Sequence, residues 1–161
     1  MRLRCHLCVI PFLLLSACAS GPTFDSSGVD RALTPRGVVA APQPTAGKQV
    51  LWGGAIVRTS NLQDSTQVEV LAYPLDARER PQDESDPLGR FILEQRGYLE
   101  PGTYAEGRLL TVVGTVRGTR AGRVGEADYT FPVMDARQIH LWPKDKDSGG
   151  VSFGVGVGTW F

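Results

Sequence analysis

From Val50 to Trp142 the chain runs in short stretches of alternating apolar and polar residues, and no stretch of ten or more carries a helical apolar face. Successive side chains on a strand point to opposite faces, so this period builds half-buried sheet and gives a helix no apolar stripe to bury. Arg108-Leu-Leu-Thr-Val-Val-Gly-Thr-Val-Arg117 is the clearest strand. Val50 to Arg58 is β-branched and aromatic around a glycine pair. Thr66 to Tyr73 sets Val68, Val70 and Ala72 on one face, with Gln67 and Glu69 on the other. Arg90-Phe-Ile-Leu-Glu94 follows a polar loop holding Pro74, Pro81 and Pro87. The Gly- and Arg-rich stretch Gly118 to Gly125 reads as a turn, and Tyr129-Thr-Phe131 and Ala136 to Trp142 as the last strands. Tyr98 to Tyr104 holds one turn of helix or none.

Strands this short, with Gly-rich turns, indicate an all-β barrel or sandwich of five to seven strands. Gly53, Gly54 and Gly114 lie inside strands, where glycine marks a bulge or the sharp coiling that a small closed barrel requires. The expected fold is therefore an OB-like Greek-key barrel, preferred to an immunoglobulin-like sandwich, whose strands would be more evenly spaced.

A different kind of segment precedes the strands. Met1-Arg2-Leu3-Arg4 is basic, Leu7 to Ala17 is almost wholly apolar, and the run closes in Leu15-Ser16-Ala17-Cys18. That is the layout of an export signal, and its apolar part is shorter than the roughly 20 residues of a spanning helix. A cysteine directly after Leu-Ser-Ala resembles the lipobox of bacterial lipoproteins. The resemblance implies diacylation of Cys18 and cleavage before it. In such signals an Asp after the cysteine favours the inner membrane, whereas Ala19-Ser20 follow here. The implied address is the periplasmic leaflet of an outer membrane, held by at least two acyl chains because one binds only reversibly.

The expected organisation is a signal peptide over 1–17, a lipidated flexible tether over 18–49, a β-barrel domain over 50–143 and a Gly-rich tail over 144–161. The tether is read from Pro22, Pro35, Pro42 and Pro44 alternating with Gly21, Gly28, Gly37 and Gly47, too few large apolar residues to offset ordering. As a coil of about 30 residues it would span roughly 30 Å r.m.s.. Loss of Arg2 and Arg4 with the signal leaves 15 basic against 17 acidic residues. That balance disfavours nucleic acid as a main ligand. Cys5 and Cys8 leave too, so Cys18 is the only remaining cysteine, and the core is expected to be stable without a disulfide.

Six motifs occur in order: Leu51-Trp-Gly-Gly-Ala-Ile56, Glu69-Val-Leu-Ala-Tyr-Pro-Leu-Asp76, Gly89-Arg-Phe91, Gly107-Arg-Leu-Leu-Thr-Val-Val-Gly114, Gly125-Glu-Ala-Asp-Tyr129 and Leu141-Trp142. With the lipobox they resemble the Slp family of outer-membrane lipoproteins over about residues 50 to 142. The resemblance implies an outer-membrane lipoprotein associated with stationary phase, starvation or acid stress. It supplies no enzymatic activity and no ligand set.

The residues themselves offer little chemistry. His140 shares a strand face with Gln138 and Trp142 and reads as a partly exposed structural histidine, since a zinc site needs three or four convergent ligands. Gly114-Thr-Val-Arg-Gly118 lacks the Lys-Ser/Thr of a phosphate loop. Glu100, Glu106, Glu126 and Asp128 read as loop charges rather than a hydrolytic pair. No cofactor, metal or catalytic residue is expected. Trp52, Tyr73, Phe91, Tyr98, Tyr104, Tyr129, Phe131 and Trp142 read as barrel core, and Arg90, Arg108, Arg117, Arg120 and Arg123 as solvated turns. A competing reading takes the aromatics as an exposed face with the arginines nearby. Trp52, Tyr73, Arg90, Arg108 and Trp142 would then bind an oligosaccharide, lipopolysaccharide or peptidoglycan fragment. That reading requires an exposed Trp52 or Trp142. Finally, Val151 to Phe161 alternates like a strand and reads as an edge strand of the domain or a disordered end, with docking to an envelope partner as the alternative. Membrane insertion is disfavoured because one strand cannot close a barrel. The sequence thus favours a non-enzymatic, lipid-anchored protein with a structural or interaction role in the stressed envelope.

Overall fold

The computed structural model describes residues 21–144. Two short helices, α1 (Pro35–Ala40) and α2 (Pro42–Thr45), precede five strands: β1 (Gln49–Asn61), β2 (Ser65–Tyr73), β3 (Gly89–Arg96), β4 (Leu109–Val124) and β5 (Ala127–Leu141). The strands close into a barrel in the order β1-β2-β3-β5-β4. Neighbours are antiparallel except β3 and β5, where Ile92, Leu93 and Glu94 meet Val133, Met134 and Asp135 in parallel. Parallel neighbours need a crossover, here made through β4, and the result is the OB-like Greek-key barrel.

The period of two decides what lies inside. Val50, Trp52 and Ile56 of β1, Val68, Val70 and Ala72 of β2, Phe91 and Leu93 of β3, Leu110, Val112 and Val116 of β4 and Met134 of β5 form one buried cluster. The Trp52 and Phe91 rings meet at 5.1 Å and 61° within it. The strand glycines serve two different ends. Gly114 borders a register shift in the β4–β5 ladder. Gly54 sits in regular register opposite Ala72, where β1 and β2 approach so closely that a Cβ would lie 1.9 Å from the Leu71 carbonyl oxygen.

Two expectations change. The stretch Gly118 to Gly125 is not a turn, because β4 runs through it to Val124, and β5 runs back without a break through Pro132. Gly118 adopts φ 140° at a second register shift and lets the strand continue, and only Gly125 turns the chain. Pro132 lies one residue outside the β3–β5 pairing, where β5 has a single ladder partner and the missing N–H costs little.

The expected tether over 18–49 is also largely folded. Thr34 caps α1 by accepting from the Gly37 N–H at 3.1 Å, with Pro35 at the first helical position. The helix packs on β3, β4 and β5 across one end of the barrel and puts Val38 at 0% exposure in the main core. The Trp52 indole N–H donates to the Leu33 carbonyl at 2.7 Å, and the Asp30 N–H to the Gln49 carbonyl at 2.8 Å. Proline and glycine lower the chance that a segment folds alone. Here, however, a few apolar residues dock on a surface that the barrel has already built. The signal segment, Cys18 and the residues after 144, including the alternating tail, lie outside the described residues.

Candidate functional site

Strands 2 and 3 and the loops beside them are where OB barrels take up oligomers. On this barrel the outer face of β2 and β3 is occupied by the chain's own β4–β5 hairpin. Ile92 of β3 packs with Phe131 and Val133 of β5 in a second buried cluster, flanked by Val124 and Tyr129. The Tyr129 hydroxyl oxygen accepts from the Arg90 N–H at 2.9 Å, and Arg120 Nη2 donates to Gln67 Oε1 at 3.1 Å. Gln67 Nε2 in turn donates to Glu94 Oε1 at 2.7 Å. Glu69 lies in the same face, bound by Arg90 Nη1 at 2.6 Å and by the more exposed Arg58 Nη2 at 3.3 Å. A buried carboxylate is costly unless paired, and two guanidinium groups supply the pairing. Each polar group on this face named here is thus held by a neighbour in the same chain.

An opening lies elsewhere, a cleft of about 450 Å³ between residues 31–35, β1, the end of β2 and the loop that follows it. Leu33, Trp52, Tyr73, Leu75 and Leu88 are among the side chains lining it. Arg31 Nη1 and Glu79 Oε1 pair at 2.8 Å between the two walls. Glu79 occupies the left-handed region at φ 64°, unusual for a residue with a Cβ. Asp76 holds this turn by accepting from the Arg78 and Arg80 N–H groups at 2.7 and 2.9 Å. Those bonds, that of Arg80 foremost, keep its carboxyl below the ordinary 3.8. The Glu79 carbonyl meanwhile accepts from Thr111 Oγ1 at 2.6 Å, tying the loop to β4. The left-handed Glu79 had no signal in the sequence, since glycine and asparagine are the usual occupants of that conformation.

The proposed aromatic binding face does not form. Trp52 is 5% and Trp142 7% exposed, and Phe91 is fully buried. Trp52 points into the barrel and Tyr73 lines the cleft. Arg90 is bound to Glu69. Arg108 donates to the Trp142 and Thr103 carbonyls at 2.8 and 3.1 Å. The Trp142 indole N–H donates to Thr111 Oγ1 at 2.9 Å, and Arg80 stands over its ring at 5.6 Å. Alternation along β1 and β3 puts Trp52 and Phe91 in the interior. Tyr98, by contrast, is 68% exposed.

The remaining candidates are equally scattered. Glu100 and Glu106 lie between β3 and β4, whereas Glu126 and Asp128 lie at the hairpin tip. Glu100 already accepts from the Tyr98 hydroxyl at 3.0 Å. Arg117 pairs with Asp135 at 2.8 Å, and Arg123 donates to the Glu126 carbonyl. His140 makes edge contacts with Trp142 at 4.6 Å and Phe24 at 6.0 Å. Among the described residues no three His, Cys, Asp or Glu side chains converge to hold a metal ion.

Comparison with known proteins puts this barrel in context. The model of the outer membrane lipoprotein Slp family matches residues 15–154. An uncharacterized protein of Haemophilus influenzae is 40% identical over 96 residues, covering 59% of this chain and 52% of that protein. The uncharacterized lipoprotein YeaY of Escherichia coli is 34% identical over 105 residues, covering 65% and 54%. The outer membrane protein Slp of Escherichia coli is 28% identical over 131 residues, covering 80% and 69%. The chain spans about half the length of the first two relatives.

Proposed function

The chain belongs to the outer membrane lipoprotein Slp family, and from that membership we propose that it is a non-enzymatic protein anchored through acylated Cys18 in the periplasmic leaflet of the outer membrane. There it serves as a structural or interaction module of the envelope under starvation and related stress. The observation that carries this reading is that the family match begins at residue 15. Leu15-Ser16-Ala17-Cys18 falls within the same matched range as the barrel, which supports reading Cys18 as the acylated residue. The barrel supports it from the other side. Its outer β2–β3 face is filled by Ile92, Phe131 and Val133 and by the Glu69–Arg90 pair. A face filled in this way supports a structural role over one that receives an oligomer.

The test is complementation of a deletion strain with the wild-type gene and with Cys18→Ser, reading membrane fractionation, the mass of the amino-terminal peptide and survival into stationary phase. The expected result is an acylated peptide and an outer-membrane fraction for the wild type alone, with survival restored only by the anchored protein. Cys18→Ser protein that remains in the outer-membrane fraction would overturn the anchor. Equal survival of the deletion strain and its wild-type parent would overturn the stress role.

A further inference from the structure

The described chain begins close to the anchor, and what it does there constrains how the domain sits. Thr23 and Asp25 are bound to the last part of β5. The Thr23 carbonyl accepts from Gln138 Nε2 at 2.8 Å, the Asp25 carbonyl from Arg137 Nη2 at 2.8 Å, and the Asp25 N–H donates to Gln138 Oε1 at 3.3 Å. The Asp25 carboxylate also pairs with Arg137 at 3.3 Å, and the Phe24 ring meets His140 edge-on at 6.0 Å. Farther along, Val29 bridges to Gln49, and Lys48 pairs with Asp30 at 2.9 Å. This strap removes most of the freedom that a Pro- and Gly-rich tether would give. Five residue steps separate Cys18 from Thr23. Their fully extended reach is about 18 Å and their r.m.s. span as a coil about 12 Å, against roughly 30 Å for the whole segment to Val50.

Resting on the lipid anchor at Cys18, we propose that the strap makes the Arg137–His140 end of β5 the membrane-facing surface of the barrel, held against the phospholipid headgroup layer. The β4–β5 hairpin tip then points away from the bilayer. Arg137 and Ala127 are ten residues apart on one strand, which separates the two ends by up to about 33 Å. With the strap about 12 Å from Cys18, a tip at that separation lies at least about 21 Å from it, so the tip is the farther of the two ends from the anchor. Charge fits the assignment. The cations beside the strap, Arg137 and Lys48, are each matched by an acid, Asp25 and Asp30, so the surface carries little net field to repel or be pulled by headgroups.

The test uses the full acylated protein in vesicles of phosphatidylethanolamine and phosphatidylglycerol carrying a nitroxide on a fraction of the headgroups. With Cys18 taken up by its lipid thioether, a single added cysteine is the only thiol for a fluorophore, at exposed Lys144 (K144C), just past the Arg137–His140 end of β5, or at exposed Glu126 (E126C). The expected result is quenching several-fold stronger at position 144 than at 126. In the Arg137→Ala/Gln138→Ala protein, checked for a native circular dichroism spectrum, the ratio should fall towards one. Equal quenching at both positions in the intact protein, or an unchanged ratio after strap removal, would overturn the orientation while leaving the anchor in place. Flotation with the vesicles is scored in the same samples. Acylated protein that fails to float would overturn the anchor itself, and the orientation with it.

Discussion

Replacing Gly54 by alanine adds one methyl group at the tightest point of the barrel. The new Cβ would lie 1.9 Å from the Leu71 carbonyl oxygen, 2.7 Å from the Leu71 carbonyl carbon and 2.9 Å from Ala72 Cα. All three are backbone atoms of β2, so no side chain can rotate away. Relief requires β1 and β2 to part by about an ångström around the Ala55–Leu71 and Gly54–Ala72 pairs. Overpacking of a tight core costs about 1–3 kcal/mol, and a disturbed ladder hydrogen bond adds about 1 kcal/mol. Against this, alanine reduces the freedom of the unfolded chain and returns about 0.4–1 kcal/mol. The net is a loss of about 2–3 kcal/mol, which for a domain of this size lowers the thermal midpoint by roughly 10 °C. Gly102→Ala is the matched control, since its Cβ would meet nothing closer than Glu100 Oε1 at 3.7 Å. It should be neutral or slightly stabilising. Thermal and urea unfolding followed by far-ultraviolet circular dichroism distinguishes the two. A Gly54→Ala protein within 0.5 kcal/mol of wild type, on the order of an ordinary surface substitution, would refute the close approach of β1 and β2.

Two further outcomes follow from the same contacts. Val38→Ala should cost about 1–2 kcal/mol by emptying a buried site, whereas Val39→Ala, at the exposed position beside it, should stay within about 0.5 kcal/mol. Equal effects in urea unfolding would mean that α1 is not docked. The carboxyls of Asp76, Asp25 and Asp30 are all held below the ordinary 3.8, chiefly by the Arg80 N–H, the Ser27 hydroxyl and Lys48 respectively. A carboxyl depressed in the folded state contributes stability that is complete above its unfolded pKa and is lost as pH falls through its folded one. The thermal midpoint should therefore decline once the pH drops below about 4, with a shallower decline in Asp76→Asn. An identical slope in that variant would show that the turn bonds carry none of the effect.

The alternation of Val68, Val70 and Ala72 and of Leu110 and Val112 made the barrel interior legible, because a strand's period of two assigns faces without reference to any partner. The same rule placed Trp52 and Phe91 inside, against the exposed-face reading of the aromatics. Gly118, Gly122 and Pro132 concealed the length of β4 and β5. Residues that usually break strands are tolerated where a bulge absorbs one and a free edge excuses the other. The left-handed Glu79 at the cleft and the Arg120–Gln67 contact across the hairpin were invisible for a different reason. Each depends on a partner far away in sequence, Thr111 for the first and a strand 53 residues earlier for the second.

By itself the sequence determined the all-β class and the side chains that fill the barrel. These are encoded in short windows, by length and period. Only the tertiary structure decided that residues 23–49 belong to the folded domain, that the β4–β5 hairpin covers the β2–β3 face, and that Thr23 and Asp25 are strapped to Gln138 and Arg137. A Pro- and Gly-rich segment gains its order from a surface assembled by strands that come later in the chain, and no local pattern records that surface.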